Sequence, residues 1–158
     1  IAKSTKREII VTLQYVYINY SFHMNITIVG SGYVGLSLAA LLSRNHSVTA
    51  LDIDPEKIDK INKRIVIFDD DLLIDLFNNE TLNLKATLNE SEAYSQSDYI
   101  IISVPTNYDP NTSAFDVSIV ESIVKNIILS GNNCPIIIKS TVPVGFTETC
   151  RIKFSKKN

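Results

Sequence analysis

A glycine-rich turn that directly follows an apolar run is the feature that most restricts the fold of this chain. Residues 26–29 read Ile-Thr-Ile-Val, and they are followed by Gly30-Ser31-Gly32-Tyr33-Val34-Gly35. Gly-x-Gly-x-x-Gly between a strand and a helix is typical of dinucleotide-binding folds. In such a turn Gly30 permits the sharp bend, Gly32 lets the backbone approach a pyrophosphate, and Gly35 lets the helix pack closely on the strand.

Asp52 supplies the acidic residue that completes the glycine pattern. It ends a second apolar run, residues 47–51, about twenty residues beyond the glycines. A carboxylate at this place accepts hydrogen bonds from the ribose hydroxyls and repels a 2′-phosphate, and no arginine follows closely. The sequence therefore predicts NAD rather than NADP, with the pyrophosphate bound by amides at the helix start. An ordinary strand–helix turn is the alternative.

Strands and helical segments alternate from Met24 onward. We predict strands at residues 25–29, 47–52, 84–88, 98–104 and 135–140, and helices at residues 34–44, 55–63, 90–96, 116–130 and 145–154, with a short amphipathic helix within 65–79. The β-branched runs of the last two strands are typical of strands buried on both faces. The pattern predicts an α/β fold, a doubly wound parallel sheet of the Rossmann-like kind, truncated after the fifth or sixth strand.

Acidic residues mark three of the predicted helix starts. Asp54 precedes Pro55, which predicts a capped helix with proline in its first turn. The triplet at residues 69–71 favours a solvated helix start, with a metal site as the alternative. Asp116 is predicted to cap a helix that reaches residue 130 and ends at Gly131.

Two further loops fall at the edge of the sheet where ligands bind in folds of this kind. The fourth strand is followed by Pro105-Thr106-Asn107-Tyr108, and the fifth by Thr141-Val142-Pro143-Val144-Gly145. Thr106 and Asn107 offer a hydroxyl and an amide at this edge. Taken singly, either loop is better explained by proline and glycine as ordinary turn residues.

The bulk properties exclude several classes of protein. The chain has 158 residues, of which 45% are hydrophobic and 20% charged, as in one soluble globular domain. A net charge of -2 gives no reason to expect nucleic acid or an anionic membrane as a partner. No apolar run reaches the roughly 18 residues of a spanning helix. Cys134 and Cys150 form neither a metal-ligand spacing nor a disulfide framework, which predicts a cytoplasmic location.

The chain opens with Ile1, and its single methionine, Met24, stands just before the first predicted strand. We therefore predict that residues 1–23 are an extension outside the domain, that residues 24–154 form the domain, and that residues 155–158 are a tail. A strand or amphipathic segment within residues 1–23 is the alternative. The apolar part of this extension contains polar residues and no small-residue cleavage site follows it, which is unlike a signal peptide.

Four motifs in register resemble those of the UDP-glucose/GDP-mannose dehydrogenase family, and in particular its UDP-glucose 6-dehydrogenases. They are Gly30-Ser31-Gly32-Tyr33-Val34-Gly35, Leu51-Asp52-Ile53-Asp54, Pro105-Thr106-Asn107-Tyr108 and Lys139-Ser140-Thr141-Val142-Pro143-Val144-Gly145. The resemblance runs from Met24 to about Phe154 and is to the N-terminal, NAD-binding domain of these enzymes. They oxidise C6 of UDP-glucose to the carboxylate of UDP-glucuronate with two NAD in succession, in nucleotide-sugar metabolism that supplies polysaccharide biosynthesis.

The resemblance implies roles for individual residues. The backbone from Ser31 to Val34 would hold the pyrophosphate, and Asp52 with Lys57 would hold the adenosine ribose. Pro105 and Thr106 would lie by the nicotinamide half of NAD. Thr141 would bind the cofactor and help to orient a catalytic water, which makes it the one candidate catalytic residue.

The chain also departs from the family pattern. The substrate domain and the segment of the cysteine nucleophile are absent, and Cys134 and Cys150 are both assigned to packing. Residues 65–69 replace a Ser-Pro-rich loop of the family. We therefore expect this chain to bind NAD weakly and to catalyse little, with UDP-glucose binding and a homodimer only in the complete enzyme. The alternatives are a non-catalytic NAD-binding module, or a fragment of another NAD-dependent sugar-nucleotide or hydroxyacid dehydrogenase.

Overall fold

Five parallel strands form the central sheet of this protein, as the alternation of apolar runs and helical segments predicts. The structure is a computed structural model, and it describes residues 23–110 and 114–155. The strands are β1 (Asn25–Val29), β2 (Ser47–Leu51), β3 (Leu84–Thr87), β4 (Tyr99–Ile102), β5 (Asn107–Asp109), β6 (Ala114–Asp116) and β7 (Ile136–Ile138). The helices are α1 (Tyr33–Ser43), α2 (Pro55–Asn62), α3 (Asp71–Asn79), α4 (Glu90–Tyr94), α5 (Ser118–Leu129) and α6 (Phe146–Ser155).

The order of strands in the sheet is β3-β2-β1-β4-β7, with β1 in the centre. Val29, the last residue of β1, lies opposite Leu51 of β2 and Ile102 of β4. The carboxyl ends of these strands therefore reach the same edge of the sheet, and the segments that follow them meet there. The doubly wound fold class predicted from the sequence is confirmed.

Helices cover both faces of the sheet because alternate strand residues point to opposite sides. Ile26 and Ile28 of β1 pack in a core with buried residues of α1, α2 and α3. Val29 of β1, with Ile100 and Ile102 of β4, packs in a second core with α4 and α5. Each face of the sheet thus has a separate apolar layer, which is the arrangement that β-branched strands of an α/β fold require.

Two of the three predicted helix caps are confirmed, and one is wrong. The Asp54 carboxylate accepts hydrogen bonds from the amides of Glu56 and Lys57 at the start of α2. Asp70 caps α3 by accepting from the amide of Leu73 at 3.0 Å. Asp116 instead lies in β6, and α5 begins at Ser118, although the Asp116 carboxylate does accept from the Ser118 amide at 3.0 Å.

The sequence interpretation missed a hairpin and misjudged the last strand. Residues 107–109 were predicted as loop, but they pair antiparallel with β6, with Tyr108 opposite Phe115. The strand at residues 135–140 was predicted to be buried on both faces. It is shorter and lies at the edge of the sheet, where Ile137 is 41% exposed. An apolar run does not distinguish a central strand from an edge strand, because this depends on which strands pair with it.

Part of the N-terminal prediction lies outside the described residues, as do residues 156–158 of the predicted tail. His23, the first described residue, contacts the carbonyl oxygen of Asn45 at 3.1 Å and the hydroxyl of Ser47 at 2.7 Å. Within residues 23–110 and 114–155, no helix is both long and apolar enough to cross a bilayer.

The glycine turn packs against the sheet at distances that only glycine permits. Gly30 has a positive φ of 95°, and a β-carbon on it would lie 2.7 Å from the carbonyl oxygen of Ser103, just beyond β4. A β-carbon on Gly35 would lie 1.9 Å from the carbonyl oxygen of Gly30. The start of α1 therefore packs in close backbone contact with the segments that follow β1 and β4.

This packing predicts different costs for two single-methyl substitutions. Gly35→Ala places its methyl group against backbone, and we expect it to lower the free energy of unfolding by about 3 kcal/mol. Gly32→Ala is the matched control, because nothing lies within 4 Å of a β-carbon there, and we expect a cost of about 1 kcal/mol or less. Urea unfolding followed by circular dichroism measures both, and equal midpoints for the two variants would contradict the packing described.

Candidate functional site

The start of α1 has the geometry of an anion-binding helix terminus. Gly30 donates its amide to the carbonyl oxygen of Leu51 at 2.8 Å, which fixes the turn against β2. Gly32 occupies the N-cap position and makes no side-chain capping bond. The first amides of a helix have no partner within the helix, so those at the start of α1 remain able to bind an anion. Nothing lies within 4 Å of the place that a β-carbon on Gly32 would occupy, so the turn is open on this side.

Asp52 lies beside this turn, where the sequence predicts it. Its Oδ2 accepts hydrogen bonds from the amide of Ser31 at 2.7 Å and from the hydroxyl of Ser31 at 2.6 Å. Its Oδ1 accepts from the amide of Asp54 at 3.1 Å. The carboxylate thus links the end of β2 to the glycine turn, and the side chain is only 9% exposed.

The Asp52 carboxylate remains ionised although it is largely buried. Burial alone would raise its pKa, but the hydrogen bonds from Ser31 and from the Asp54 amide, with the nearby charge of Lys57, outweigh burial and lower the pKa below its ordinary value. The ammonium group of Lys57 lies 3.9 Å from Oδ2. An ionised carboxylate at this place is suited to accept hydrogen bonds from ribose hydroxyls, and it repels a 2′-phosphate.

The loops after β4 and β7 are held together at the same edge of the sheet. The Thr106 hydroxyl donates to the carbonyl oxygen of Thr141 at 2.8 Å. The Ser140 hydroxyl donates to the carbonyl oxygen of Val104 at 2.7 Å. Ser103, which begins the loop after β4, lies against Gly30. The loop after β4 therefore lies next to the glycine turn in space. The structure therefore brings the predicted residues into two groups, one around Asp52 and one around Thr106 and Thr141. Pro105, in the loop after β4, is exposed and belongs to the second group.

A contact that the sequence interpretation missed joins Tyr33 to the segment before α3. The Tyr33 hydroxyl donates to Oδ2 of Asp70 at 2.6 Å, and its ring packs edge-on against Phe68 with centroids 5.8 Å apart. This bond lowers the pKa of Asp70 and raises that of Tyr33. Tyr33 belongs to the glycine motif and Asp70 to the acidic triplet. No sequence signal predicts a contact between them, because they lie 37 residues apart.

The acidic triplet at residues 69–71 serves as a helix start. The Asp70 carboxylate is engaged by Tyr33 and by the amide of Leu73. Among the described residues, no group of three or more histidine, cysteine or acidic side chains could hold a metal ion.

Both cysteines pack against apolar groups. Cys150 is 6% exposed, and Cys134 is partly buried against the core that includes β4. Burial raises the pKa of each thiol, which disfavours the thiolate that a nucleophile needs.

A polar cavity of about 410 Å³ lies away from the three loops. Its lining comes from the amino-terminal halves of β1 and β2, from β3 and from the α4 region. Thr27 and Ser97 in its wall hydrogen-bond to each other, and Lys85 pairs with Glu92. Because this cavity lies toward the amino-terminal ends of β1 and β2, whereas ligands of such sheets bind at the carboxyl ends, we assign the candidate site to the glycine turn.

The lowered pKa of Asp52 predicts how stability responds to acid. Its folded-state pKa lies below the ordinary value of 3.8, so ionisation stabilises the fold above that pH, and this contribution is lost as pH falls through the folded pKa. We expect the free energy of unfolding of Asp52→Asn to fall less steeply below about pH 4 than that of the unsubstituted chain. Asp59→Asn, which removes an exposed carboxylate paired with Lys63, serves as the control. Urea unfolding at several pH values measures this, and an unchanged acid response in Asp52→Asn would contradict it.

Comparison with known proteins agrees with the site geometry. The model of the UDP-glucose/GDP-mannose dehydrogenase family, NAD binding domain, matches residues 24–158. The UDP-glucose 6-dehydrogenase of Streptococcus pneumoniae is 42% identical over 132 residues, which are 84% of this chain and 34% of that protein. The enzyme of the same name from Campylobacter jejuni is 42% identical over 85% of this chain and 35% of its own length.

The fold comparison leads to the same family. The structure of a ternary complex of GDP-mannose dehydrogenase from Pseudomonas aeruginosa superposes with a TM-score of 0.74 at 28% identity, covering 82% of this chain and 31% of that one. This chain therefore spans about a third of the length of the relatives it matches. It belongs to the UDP-glucose/GDP-mannose dehydrogenase family and carries the NAD-binding domain of that family.

Proposed function

We propose that this chain is the NAD-binding part of a UDP-glucose 6-dehydrogenase, which oxidises UDP-glucose to UDP-glucuronate. The observation that carries the cofactor assignment is the ionised Asp52 carboxylate beside the start of α1, held there by Ser31. The substrate assignment is supported by the relatives at 42% identity, both of which are UDP-glucose 6-dehydrogenases. Bound NAD supplies the acceptor for the hydride that leaves C6 of the substrate.

We assign the pyrophosphate to the first turn of α1. The amides of Gly32, Tyr33 and Val34 begin the helix, and the helix dipole adds to their attraction for the two phosphates. Gly30 and Gly35 shape this turn without contacting the cofactor, since both are occupied by backbone contacts.

We assign the adenosine half to the end of β2. Asp52 accepts hydrogen bonds from the ribose hydroxyls, and Lys57 keeps a positive charge beside it. Ile53 and Leu88 are exposed apolar side chains on the loops after β2 and β3, at 96% and 52% exposure. These two side chains are suited to cover the faces of an adenine ring.

We assign the nicotinamide half to the loops after β4 and β7. Pro105 and Thr106 line one side, and the Thr106 hydroxyl fixes the backbone of Thr141. The Thr141 hydroxyl is then free to bind the cofactor and to orient the water molecule that hydrolyses the acyl intermediate formed by the second oxidation. Thr141 is the residue of this chain that we place closest to the reacting atoms.

The remaining parts of the reaction are assigned to segments that this chain does not span. Neither cysteine is suited to act as a nucleophile, because burial holds both thiols protonated. Since the relatives are about three times as long, we propose that UDP-glucose binding, the nucleophile and the homodimer belong to the complete enzyme, which acts in the cytoplasm.

Calorimetric titration of the 158-residue chain with NAD, NADP and UDP-glucose tests this proposal. We expect NAD to bind, and NADP to bind much more weakly because Asp52 repels its 2′-phosphate. UDP-glucose should not bind, because the groups that recognise the sugar nucleotide lie elsewhere. Asp52→Asn should weaken NAD binding at least about tenfold, since a charged acceptor is lost. Asp59→Asn on the exposed face of α2 should leave NAD affinity unchanged.

Three outcomes would contradict the proposal. No binding of NAD at millimolar concentration would remove the cofactor assignment. Equal affinity for NAD and NADP would remove the role of Asp52. Reduction of NAD by this chain with UDP-glucose at the turnover of ordinary enzymes, about 1 per second or faster, would show that the missing segments are not needed.

A further inference from the structure

We propose that the Ser31 hydroxyl is a positioning group that decides which oxygen of Asp52 receives the cofactor ribose, and that it thereby sets the selectivity for NAD over NADP. This inference rests on the proposed binding of NAD at the start of α1. It concerns the side chain of a residue to which the glycine pattern assigns only a backbone role.

The first step is the geometry of the two donors. Ser31 is 1% exposed, so its hydroxyl has no access to solvent and must find a partner within the protein. Its amide and its hydroxyl both donate to the same oxygen, Oδ2 of Asp52, at 2.7 and 2.6 Å. One residue therefore contacts one carboxylate oxygen from two directions.

The second step is what these bonds leave available. A carboxylate oxygen accepts about two hydrogen bonds, so the two donors of Ser31 satisfy Oδ2. Oδ1 accepts from the amide of Asp54 at 3.1 Å and retains capacity for a further donor. The ribose hydroxyl of a bound nucleotide is thus directed to Oδ1, and the orientation of the carboxylate is set before the cofactor arrives.

The third step concerns the charges that face Asp52. Lys57 is the cation beside it, at 3.9 Å from Oδ2. The Asp54 carboxylate is turned toward the amides of Glu56 and Lys57 at the start of α2. Lys57 lies beyond hydrogen-bonding distance, so the short bond from the Ser31 hydroxyl is the side-chain contact that holds Oδ2 in place.

Ser43 offers a matched comparison at the other end of α1. It is also 1% exposed, but its hydroxyl donates to the carbonyl oxygen of Ala40 in its own helix at 2.8 Å. Buried serines in helices commonly bond back in this way. Ser31 differs because its hydroxyl serves a side chain from another element, and Ser43→Ala therefore controls for the loss of a buried hydroxyl.

The first experiment follows the Asp52 carboxyl group by carbon NMR in the chain without cofactor. Removing the hydroxyl in Ser31→Ala takes one donor from the ionised form, so the pKa of Asp52 should rise by about one unit relative to the unsubstituted chain. Ser43→Ala should leave that pKa unchanged. Ser31→Cys, which keeps a weak donor of similar size, should give an intermediate value and serves if Ser31→Ala fails to fold.

The second experiment measures affinity for NAD and NADP by calorimetry with the same variants. Ser31→Ala should bind NAD roughly tenfold more weakly while its affinity for NADP changes less than about twofold, so the preference for NAD falls. A purely structural role for Ser31 would instead lower both affinities together or lower only the unfolding temperature.

The outcomes separate this inference from the proposed function. An unchanged Asp52 pKa in Ser31→Ala, or an unchanged ratio of the two affinities, overturns the role of Ser31 even when the unsubstituted chain binds NAD. Absence of NAD binding by the unsubstituted chain overturns the proposed function and, with it, the selectivity assigned to Ser31. In that case the NMR titration still decides whether Ser31 holds the carboxylate.

Discussion

The close contact between the glycine turn and the ends of β1 and β4 is the constraint on which the rest of the site depends. Because Gly35 lies against the carbonyl oxygen of Gly30, and Gly30 lies against Ser103, helix α1 starts within a few ångströms of the sheet edge. That position directs the first amides of α1 over the carboxyl ends of the strands, where β2 and β4 end at matching heights. The proposed anion site is therefore a consequence of backbone packing and requires no basic side chain in the turn.

Asp52 places a negative charge at this edge of the sheet, close to the start of α1 where we propose that the pyrophosphate binds. Burial opposes ionisation, yet the two donors of Ser31, the Asp54 amide and Lys57 together favour the charged form. In the proposed complex with NAD, the carboxylate and the amides of α1 act on different parts of one ligand, with Asp52 at the ribose and the helix start at the phosphates. This division of roles explains why an acid stands beside an anion site without weakening it.

The second half of the edge is organised by hydrogen bonds between loops. Thr106 and Ser140 each bond to the backbone of the other loop, so the segments after β4 and β7 form one unit. The hairpin of β5 and β6 follows the first of these loops. The Tyr33 hydroxyl links the glycine turn to the segment before α3 by its hydrogen bond to Asp70. The chain corresponds to about a third of the length of each of the two relatives at 42% identity.

The sequence alone determined the glycine turn, the place of Asp52, the alternation of strands and helices, the cap at Asp54 and the acidic helix start at residues 69–71, because each depends on residues close together in the chain. Tertiary structure alone decided that β7 is an edge strand, that residues 107–109 pair in a hairpin, and that Asp116 ends a strand before α5. It also decided that the hydroxyl of Ser31 serves Asp52 and that Tyr33 meets Asp70. These last two contacts join residues 21 and 37 positions apart, and only the folded chain brings such residues within hydrogen-bonding distance.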